Sequence, residues 1–325
     1  MRQPKLNRRR VIFSPTFCDA IEYDPIVLVD VGARGGIEEP WSGLSGKALK
    51  VIGFEPDQEE CDRLNGSCAS NRKYLPVGLW SGEGTMNIHC ADTGSCSSVH
   101  PPHFELLKKY HEKHWKPRVT KQVARVTCTT LDKVMKDANL ECDFLKIDTQ
   151  GSEYEVLQGA QASLKTSIFG VLVETWTSEV HKGQHLTGDV LTMMADLGFA
   201  LFDINVAAAW KRRHDGLPDL QGKAQITGLD LLFFRESNAR LSASKRLTKV
   251  LKAAAVAEVY GFPDYAVELL SAAAESNPSG GEMLRLARDM VIQNFQPPQS
   301  VRHKVQRRLR RLLGIQQVEF PSLHY

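Results

Sequence analysis

From residue 26 onward, short apolar runs alternate with helical stretches. The strand-like runs are IVLVDV (26–31), LKVIGFE (49–55), YLPVGLW (74–80), TMNIHC (85–90), RVTCTTL (125–131), DFLKID (143–148), GVLVETW (170–176), FALFDIN (199–205) and LDLLFFR (229–235). Between several of them lie QEECDRLNGSCA, SEYEVLQGAQASL and DVLTMMADLG. Strands that alternate with helices, and that are apolar along nearly all their length, predict an α/β fold with a parallel sheet covered on both faces. Such a sheet binds ligands beyond the carboxyl ends of its strands. Asp30, Glu55, Asp148 and Glu174 each close an apolar run, where a ligand is expected.

The pattern divides the chain into three parts. Residues 1–24 form a leader with the run Arg8-Arg9-Arg10, residues 25–236 the α/β domain, and residues 237–325 a helical appendage rich in alanine, leucine and lysine. In the appendage, NPSGG (277–281) reads as a turn between helices. The stretch 256–278 spaces its small residues and aromatics like one tetratricopeptide-type helix pair, but one such unit cannot bury itself, and a plain helical hairpin is the preferred reading. The segment 301–314, VRHKVQRRLRRLLG, places Val301, Val305, Leu309 and Leu312 on one face and basic residues elsewhere. This basic amphipathic helix is expected to pack on its own domain, with peripheral membrane or protein contact as the alternative. No aromatic platform accompanies it, so no nucleic-acid partner is expected.

Composition adds little beyond this. The net charge of +3 over 325 residues implies no global electrostatic partner. No window approaches 18 apolar residues, and the three apolar residues after Arg10 run into Ser14 and Pro15, too short for a signal-peptide core. Seven scattered cysteines without a CxxC pair suit reduced thiols and a cytoplasmic location.

The chemistry begins at VLVDVGARGG (27–36). Gly32 permits a tight turn, and Gly35 and Gly36 are expected to let the chain approach a ligand and start a helix close to the sheet. A dinucleotide site would place a pyrophosphate at that helix N-terminus, and the Asp30 carboxylate would repel it. A cationic ligand reverses the sign. S-adenosylmethionine carries an ammonium and a sulfonium and no phosphate, so Asp30 suits it and disfavours a nicotinamide cofactor. Glu55, about 25 residues further on, is placed to accept hydrogen bonds from ribose hydroxyls. Asp57 better fits the alternative of a helix N-terminal carboxylate, and Pro56 suits a first helical position.

The succession VDVGARGG, VIGFEPD, VTCTTLD, DFLKIDTQGSEYEVLQGA and VLVETW resembles the FkbM-type methyltransferases, class I enzymes that use S-adenosylmethionine. The resemblance spans roughly residues 26–205, and the Lys-Ile-Asp-x-x-Gly-x-Glu string is its most specific part. It implies a Rossmann-like sheet of seven mostly parallel strands with helices on both faces. LDLLFFR would be the antiparallel strand and FALFDIN its neighbour. By position it implies that Asp30 and Gly32 hold the methionine end of the cofactor and that Glu55 holds the ribose. Val77, Gly78 and Leu79 would line the adenine side, and Asp148 would stand beside the methyl group. Where the family commonly has Val-Glu-Gly-Ala, this chain has Thr149-Gln150-Gly151-Ser152, and Gln150 carries no charge. The activity implied is O-methylation of a hydroxyl on a glycan or small metabolite. The alternative is a cofactor-binding scaffold with little turnover that recruits a partner through the helical tail.

Methyl transfer to a hydroxyl needs positioning and gains from a nearby base. Asp148 and Glu153 are the candidate bases, with Lys146 close enough to tune either. Lys146 reads equally as an inward lysine paired with a carboxylate, and Glu153 as a first-turn helix residue. Ser152 and Glu155 have capping-box spacing, and Glu174 either lines the acceptor pocket or caps the sheet. The stretch 100–115 contains His100, His103, His111 and His114, without the cysteine pair or HExxH expected of a zinc site, so no metal is expected. This stretch is placed to fold over the site as a lid that selects the acceptor.

Overall fold

The structure is a computed structural model that describes residues 21–44, 46–213, 220–235, 247–277 and 280–295. Among the described residues the strands are, in chain order, β1 (Ile26–Val31), β2 (Leu49–Phe54), β3 (Arg72–Leu75), β4 (Gly78–Leu79), β5 (Gly84–Ala91), β6 (Thr120–Thr129), β7 (Phe144–Ile147), β8 (Gly170–Trp176), β9 (Phe199–Trp210) and β10 (Gln225–Arg235). The helices are α1 (Gln58–Ser67), α2 (Phe104–Leu107), α3 (Glu112–Trp115), α4 (Leu131–Asp137), α5 (Glu153–Gln158), α6 (Gln161–Thr166), α7 (Thr187–Asp196), α8 (Leu247–Val259), α9 (Pro263–Ser276) and α10 (Gly281–Phe295).

The main sheet has seven strands in the order β3-β2-β1-β7-β8-β10-β9. Strands β3, β2, β1, β7 and β8 are parallel, and β10 runs antiparallel to both β8 and β9. Every residue of β1 is buried, as an inner strand with both faces covered requires. LDLLFFR lies in the antiparallel β10 and FALFDIN in its neighbour β9, as the resemblance implied.

Two of the expected strands belong elsewhere, and a third is divided between two sheets. TMNIHC and RVTCTTL form the antiparallel pair β5–β6 of a separate three-stranded sheet, in which β4 pairs parallel with β6. Their apolar residues alternate with polar ones, which suits a sheet half-open to water rather than a buried parallel one. YLPVGLW splits at Pro76 into β3 of the main sheet and β4 of the small one. A proline offers no N–H to a ladder, so the strand breaks there.

No helix follows β1. Gly32, Gly35 and Gly36 adopt φ of +80°, +85° and +87°, which a right-handed helix does not use. The loop instead runs to a short 3-10 turn at Trp41–Gly43. The expectation that Gly35 and Gly36 start a helix is thereby corrected.

The sheet face that lacks this helix is covered from the other end of the chain. Ile26, Leu28, Phe144, Leu232 and Phe234 share one hydrophobic cluster with Val250, Ala254, Leu270 and Leu284 of α8, α9 and α10. Alanines at 253–255 and 257 let α8 lie close to the strands. The region expected as an appendage is therefore, over 247–295, a three-helix layer of the same core rather than a lone hairpin. The opposite face packs Val29, Leu145, Val171 and Phe233 against α5, α6 and α7. The Arg8–Arg10 run and the basic segment 301–314 lie outside the described residues. Among those described, no helix is long and apolar enough to cross a membrane.

One buried acid in this layer makes a testable pH effect. Glu258 of α8 is 6% exposed, and burial pushes its carboxyl up to about 7. A carboxyl raised on folding binds its proton in the folded state first. Its stabilising contribution is complete below about 4.5 and is lost as the pH rises through about 7. Glu258→Gln is expected to raise stability at pH 8 by roughly 1–3 kcal/mol and to change nothing at pH 4. Thermal melts at the two pH values test this; an equal effect at both contradicts it.

Candidate active site

A cavity of about 680 Å³ lies beyond the carboxyl ends of β1, β2 and β7. That size suits a nucleoside-containing ligand. Val31 and Gly32 border it at the tip of β1, and Glu55, Pro56 and Asp57 at the tip of β2. Val77, Gly78 and Leu79 form one side, and Lys146, Asp148, Thr149 and Gln150 another. Met86, Ile88, Ala124 and Val126 of the β5–β6 hairpin close it from above. The hairpin, rather than the histidine-rich stretch, is the cover. Residues 100–115 do not line the cavity and pack instead through Leu107 and Tyr110 against Trp176, Val180 and Trp210.

Gly32 joins two of these walls. A Cβ there would collide with the carbonyl oxygen of Asp148, so glycine alone lets the loop after β1 touch the loop after β7. Asp148 N donates to Val31 O at 2.9 Å across the same junction. Gly35 and Gly36 stand away from the cavity. The Gly35 N–H donates to Glu60 Oε1 at 2.9 Å, which ties the turn to α1.

Glu55 is 4% exposed and borders the cavity. Its Oε1 accepts from Asp57 N at 2.9 Å and lies 3.7 Å from Arg34 Nη2; Oε2 takes part in neither contact. Burial raises its pKa, against the lowering effect of the Asp57 N–H and Arg34. Asp57 is the N-cap of α1, accepting from Glu59 N and Glu60 N at 3.1 and 3.3 Å, as expected; the helix itself begins at Gln58 rather than Pro56. Arg34 donates to Asp57 Oδ2 at 2.6 Å and reaches across to Gly94, where an added Cβ would stand 2.9 Å from Nη1.

Asp30 is 2% exposed and lies behind the cavity wall. The ammonium it faces in this structure is that of Lys146, whose Nζ lies 3.1 Å from Asp30 Oδ1. Burial raises the Asp30 pKa while Lys146 opposes the rise. Burial would likewise strip the Lys146 proton, but Asp30 and Asp148 outweigh it and hold the ammonium charged. The paired-lysine reading of Lys146 describes what the structure contains. The carboxylate that borders the cavity on this side is Glu38, which acts on both members of the pair. Neither Glu38 nor Arg34 stood out in the sequence. Their only signal was their position, Arg34 within the glycine turn and Glu38 just past it.

Asp148 sits on the cavity wall, its Oδ1 accepting from Gln150 Nε2 at 3.0 Å. The same nitrogen donates to Glu174 Oε2 at 2.6 Å. Gln150 adopts φ +58°, a left-handed conformation rare outside glycine, and Gly151 adopts +118°. Glu153 holds this turn. Its carboxylate accepts from Thr149 N at 3.0 Å, and from Gly151 N at 2.9 Å through Oε1 and 3.0 Å through Oε2. Burial pushes Glu153 up to about 7. With both oxygens tied to backbone and no contact with the cavity, Glu153 clamps the loop and is not placed as a base. The capping box is also absent: Ser152 makes no side-chain cap bond, and Glu155 Oε1 meets His185 Nδ1 at 2.9 Å.

Glu174 is half-buried beside Asp148, and its partial burial together with the Asp148 charge lifts its pKa far above the usual carboxylate range. Asp230, opposite Glu174 in the β8–β10 register, is pushed up to about 6 by burial and then by Asp148. Among the described residues, no group of three or more His, Cys, Asp or Glu could hold a metal ion.

The sheet order, with the cavity at the carboxyl edge of its parallel strands, defines a Rossmann-like α/β fold. The sequence matches the methyltransferase FkbM domain over residues 30–201, just over half of the 325, and the chain belongs to that family. No curated protein matches the chain. Among solved structures it is similar to the methyltransferase FkbM from Methylobacillus flagellatus KT, with 18% identity, a TM-score of 0.33, and coverage of 64% of this chain and 44% of that one. It is also similar to a TehB-like SAM-dependent methyltransferase from Corynebacterium glutamicum ATCC 13032 Kitasato (12% identity, TM-score 0.30, 68% of this chain and 88% of that one). A third is a precorrin-6y C5,15-methyltransferase from Geobacter metallireducens GS-15 (10% identity, TM-score 0.31, 70% and 92%). The chain thus spans less than half the length of the Methylobacillus protein.

Proposed function

We propose that the protein is an S-adenosylmethionine-dependent O-methyltransferase whose acceptor is a hydroxyl on a glycan or small metabolite. The observation that carries the reading is Glu55, a buried carboxylate at the tip of β2 on the wall of the cavity, with one oxygen outside its internal contacts. The donor set fits the cofactor. Glu55 would hold the ribose, and Val77, Gly78 and Leu79 would flank the adenine. Glu38 and Lys146, with Asp30 behind them, would surround the end that carries the amino acid. The absence of a helix N-terminus after β1 removes the element that favours a pyrophosphate. When bound, the cofactor supplies a methyl group on a positively charged sulfur.

The remaining chemistry belongs to the chain. Asp148 accepts the hydroxyl proton at its carboxylate. Gln150 fixes the carboxylate by donating to Oδ1, and protonated Glu174 shares the same amide. Lys146 keeps Asp30 neutralised, so the wall does not accumulate negative charge. A reducing, cytoplasmic setting suits the six free cysteines of the described residues.

Calorimetric titration with S-adenosylhomocysteine tests the reading. The wild type is expected to bind, and Glu55→Ala to bind roughly 10- to 100-fold more weakly through loss of charge-assisted hydrogen bonds. No binding by the wild type, or equal binding by the variant, contradicts it.

A further inference from the structure

The face of β8 changes character along its length. Leu172 packs against the cluster shared with the C-terminal helices, Glu174 follows beside Asp148, and Trp176 enters an aromatic cluster with Tyr110 and Trp210. A cation is inserted into that cluster. The guanidinium carbon of Arg118, in the turn before β6, lies 5.3 Å from the Trp176 ring centroid and 4.8 Å from that of Trp210.

Arg118 is poorly compensated. Its Nη1 donates to His114 O at 2.8 Å, while Nε is buried without a partner. Burial lowers its pKa, opposed by Cys96 and Glu174. Glu174 is the one described carboxyl acting on it, and Glu174 is itself held protonated. A mostly buried cation without a counter-ion is costly, and an incoming anion relieves the cost.

The groups around it are polar, buried and also without partners. They include Trp176 Nε1, Gln184 Nε2 and His181 Nε2. His181 is fully buried, and burial, reinforced by Arg118, pushes its pKa down to about 3, so the ring is neutral. Its Nδ1 lies 3.2 Å from Gln184 Oε1, an acceptor, which leaves Nε2 as the bare acceptor. The cluster therefore offers a cation, two N–H donors and one hydroxyl acceptor. It adjoins the catalytic loop, since a Cβ on Gly151 would lie 3.5 Å from His181 Nδ1 and 3.3 Å from Gln184 Oε1. Two links lead from it toward the cavity: Cys96, which acts on Arg118, stands between Ser95 and Ser97 of the cavity wall, and Glu174, which also acts on Arg118, accepts from Gln150 of that wall.

We infer that Arg118, with Trp176, Gln184 and His181, forms an acceptor subsite for an anionic group next to a hydroxyl, so that the methyl acceptor is a sugar or small molecule bearing a carboxylate or phosphate. The inference rests on the proposed methyltransferase reading for the word acceptor, but the anion site stands on its own geometry. Trp176 and Trp210 flank the guanidinium and report on it by fluorescence.

The full chain, with and without S-adenosylhomocysteine, is titrated with glucuronate, glucose 6-phosphate and glucose while tryptophan emission is followed. A saturable change is expected with at least one charged sugar and none with glucose; which charged sugar responds separates carboxylate from phosphate. Arg118→Gln is expected to weaken that response at least roughly tenfold, with binding of S-adenosylhomocysteine unchanged. Trp176→Phe keeps the stacked ring and removes the N–H. It is expected to weaken the response several-fold, and it decides the matter if Arg118→Gln does not fold. Equal responses to charged and neutral sugars, or a wild-type response from the folded variants, overturn the inference. Failure to bind S-adenosylhomocysteine would instead remove the methyltransferase reading and leave the anion result standing.

Discussion

Asp148→Asn is expected to reduce methyl transfer roughly 10²- to 10⁴-fold, the usual worth of a positioned general base, with little change in S-adenosylhomocysteine binding. The substitution conserves shape and removes the ability to take a proton. Asp148 borders the cavity, whereas the other candidate base, Glu153, spends both oxygens on the backbone of its own loop. Glu174 is the rival. It lies on the far side of the Gln150 amide, and burial holds it protonated, so it can share a proton but cannot readily accept one. Glu174→Gln is therefore expected to lower the rate less than Asp148→Asn. Single-turnover rates with labelled cofactor and an acceptor extract compare the two. Near wild-type turnover from Asp148→Asn removes it as the base, and a larger loss from Glu174→Gln transfers the role.

The sequence revealed most where a residue's chemistry was decided within its own strand. Glu55 and Asp148 end apolar runs, and the structure places both on the cavity wall. Asp30 ends such a run too, yet it lies one layer back, because its register partner on β7 is Lys146 and the two neutralise each other. That pairing depends on which strands are neighbours, which no local pattern records. Glu153 sits in a helical first turn, as its position suggested, but its carboxylate folds back to the left-handed turn at Gln150 and Gly151. The β5–β6 cover was visible as strands, and their polar alternation was the unused signal that they stand outside the main sheet. Glu38, Arg34 and Arg118 could not be found locally, since each gains its meaning from groups far away in the chain.

The C-terminal helices raise the same difficulty on a larger scale, and Lys252 tests them most sharply. An alanine-rich helix shows that it has a buried face but not what covers it. Here α8 covers the sheet face left open where no helix follows β1, and Lys252 anchors it there. Lys252 is 3% exposed, and its Nζ lies 3.1 Å from Oδ2 of Asp143, itself 1% exposed, and 2.8 Å from Asp24 Oδ1. Asp143 Oδ2 also accepts from Val27 N at 2.9 Å, so the pair links α8 to the base of β7 and β1. Burial already raises the Asp143 pKa, and Lys252 is the main force opposing the rise. Lys252→Ala strands that carboxylate and is expected to destabilise the fold by about 3–5 kcal/mol, a large share of the roughly 5–15 kcal/mol available to a domain. Without the lysine, the folded carboxyl titrates still higher. The deficit should therefore be largest at neutral pH and shrink as the pH falls below the folded-state value and Asp143 binds its proton. Combining Lys252→Met with Asp143→Asn removes both charges and should recover part of the loss, which separates the ion pair from simple packing. Urea unfolding of the three variants at pH 7 and pH 5 measures this. A cost below about 1 kcal/mol for Lys252→Ala at pH 7 would place the pair in the solvent-screened class, and α8 would then be held by its alanine face alone.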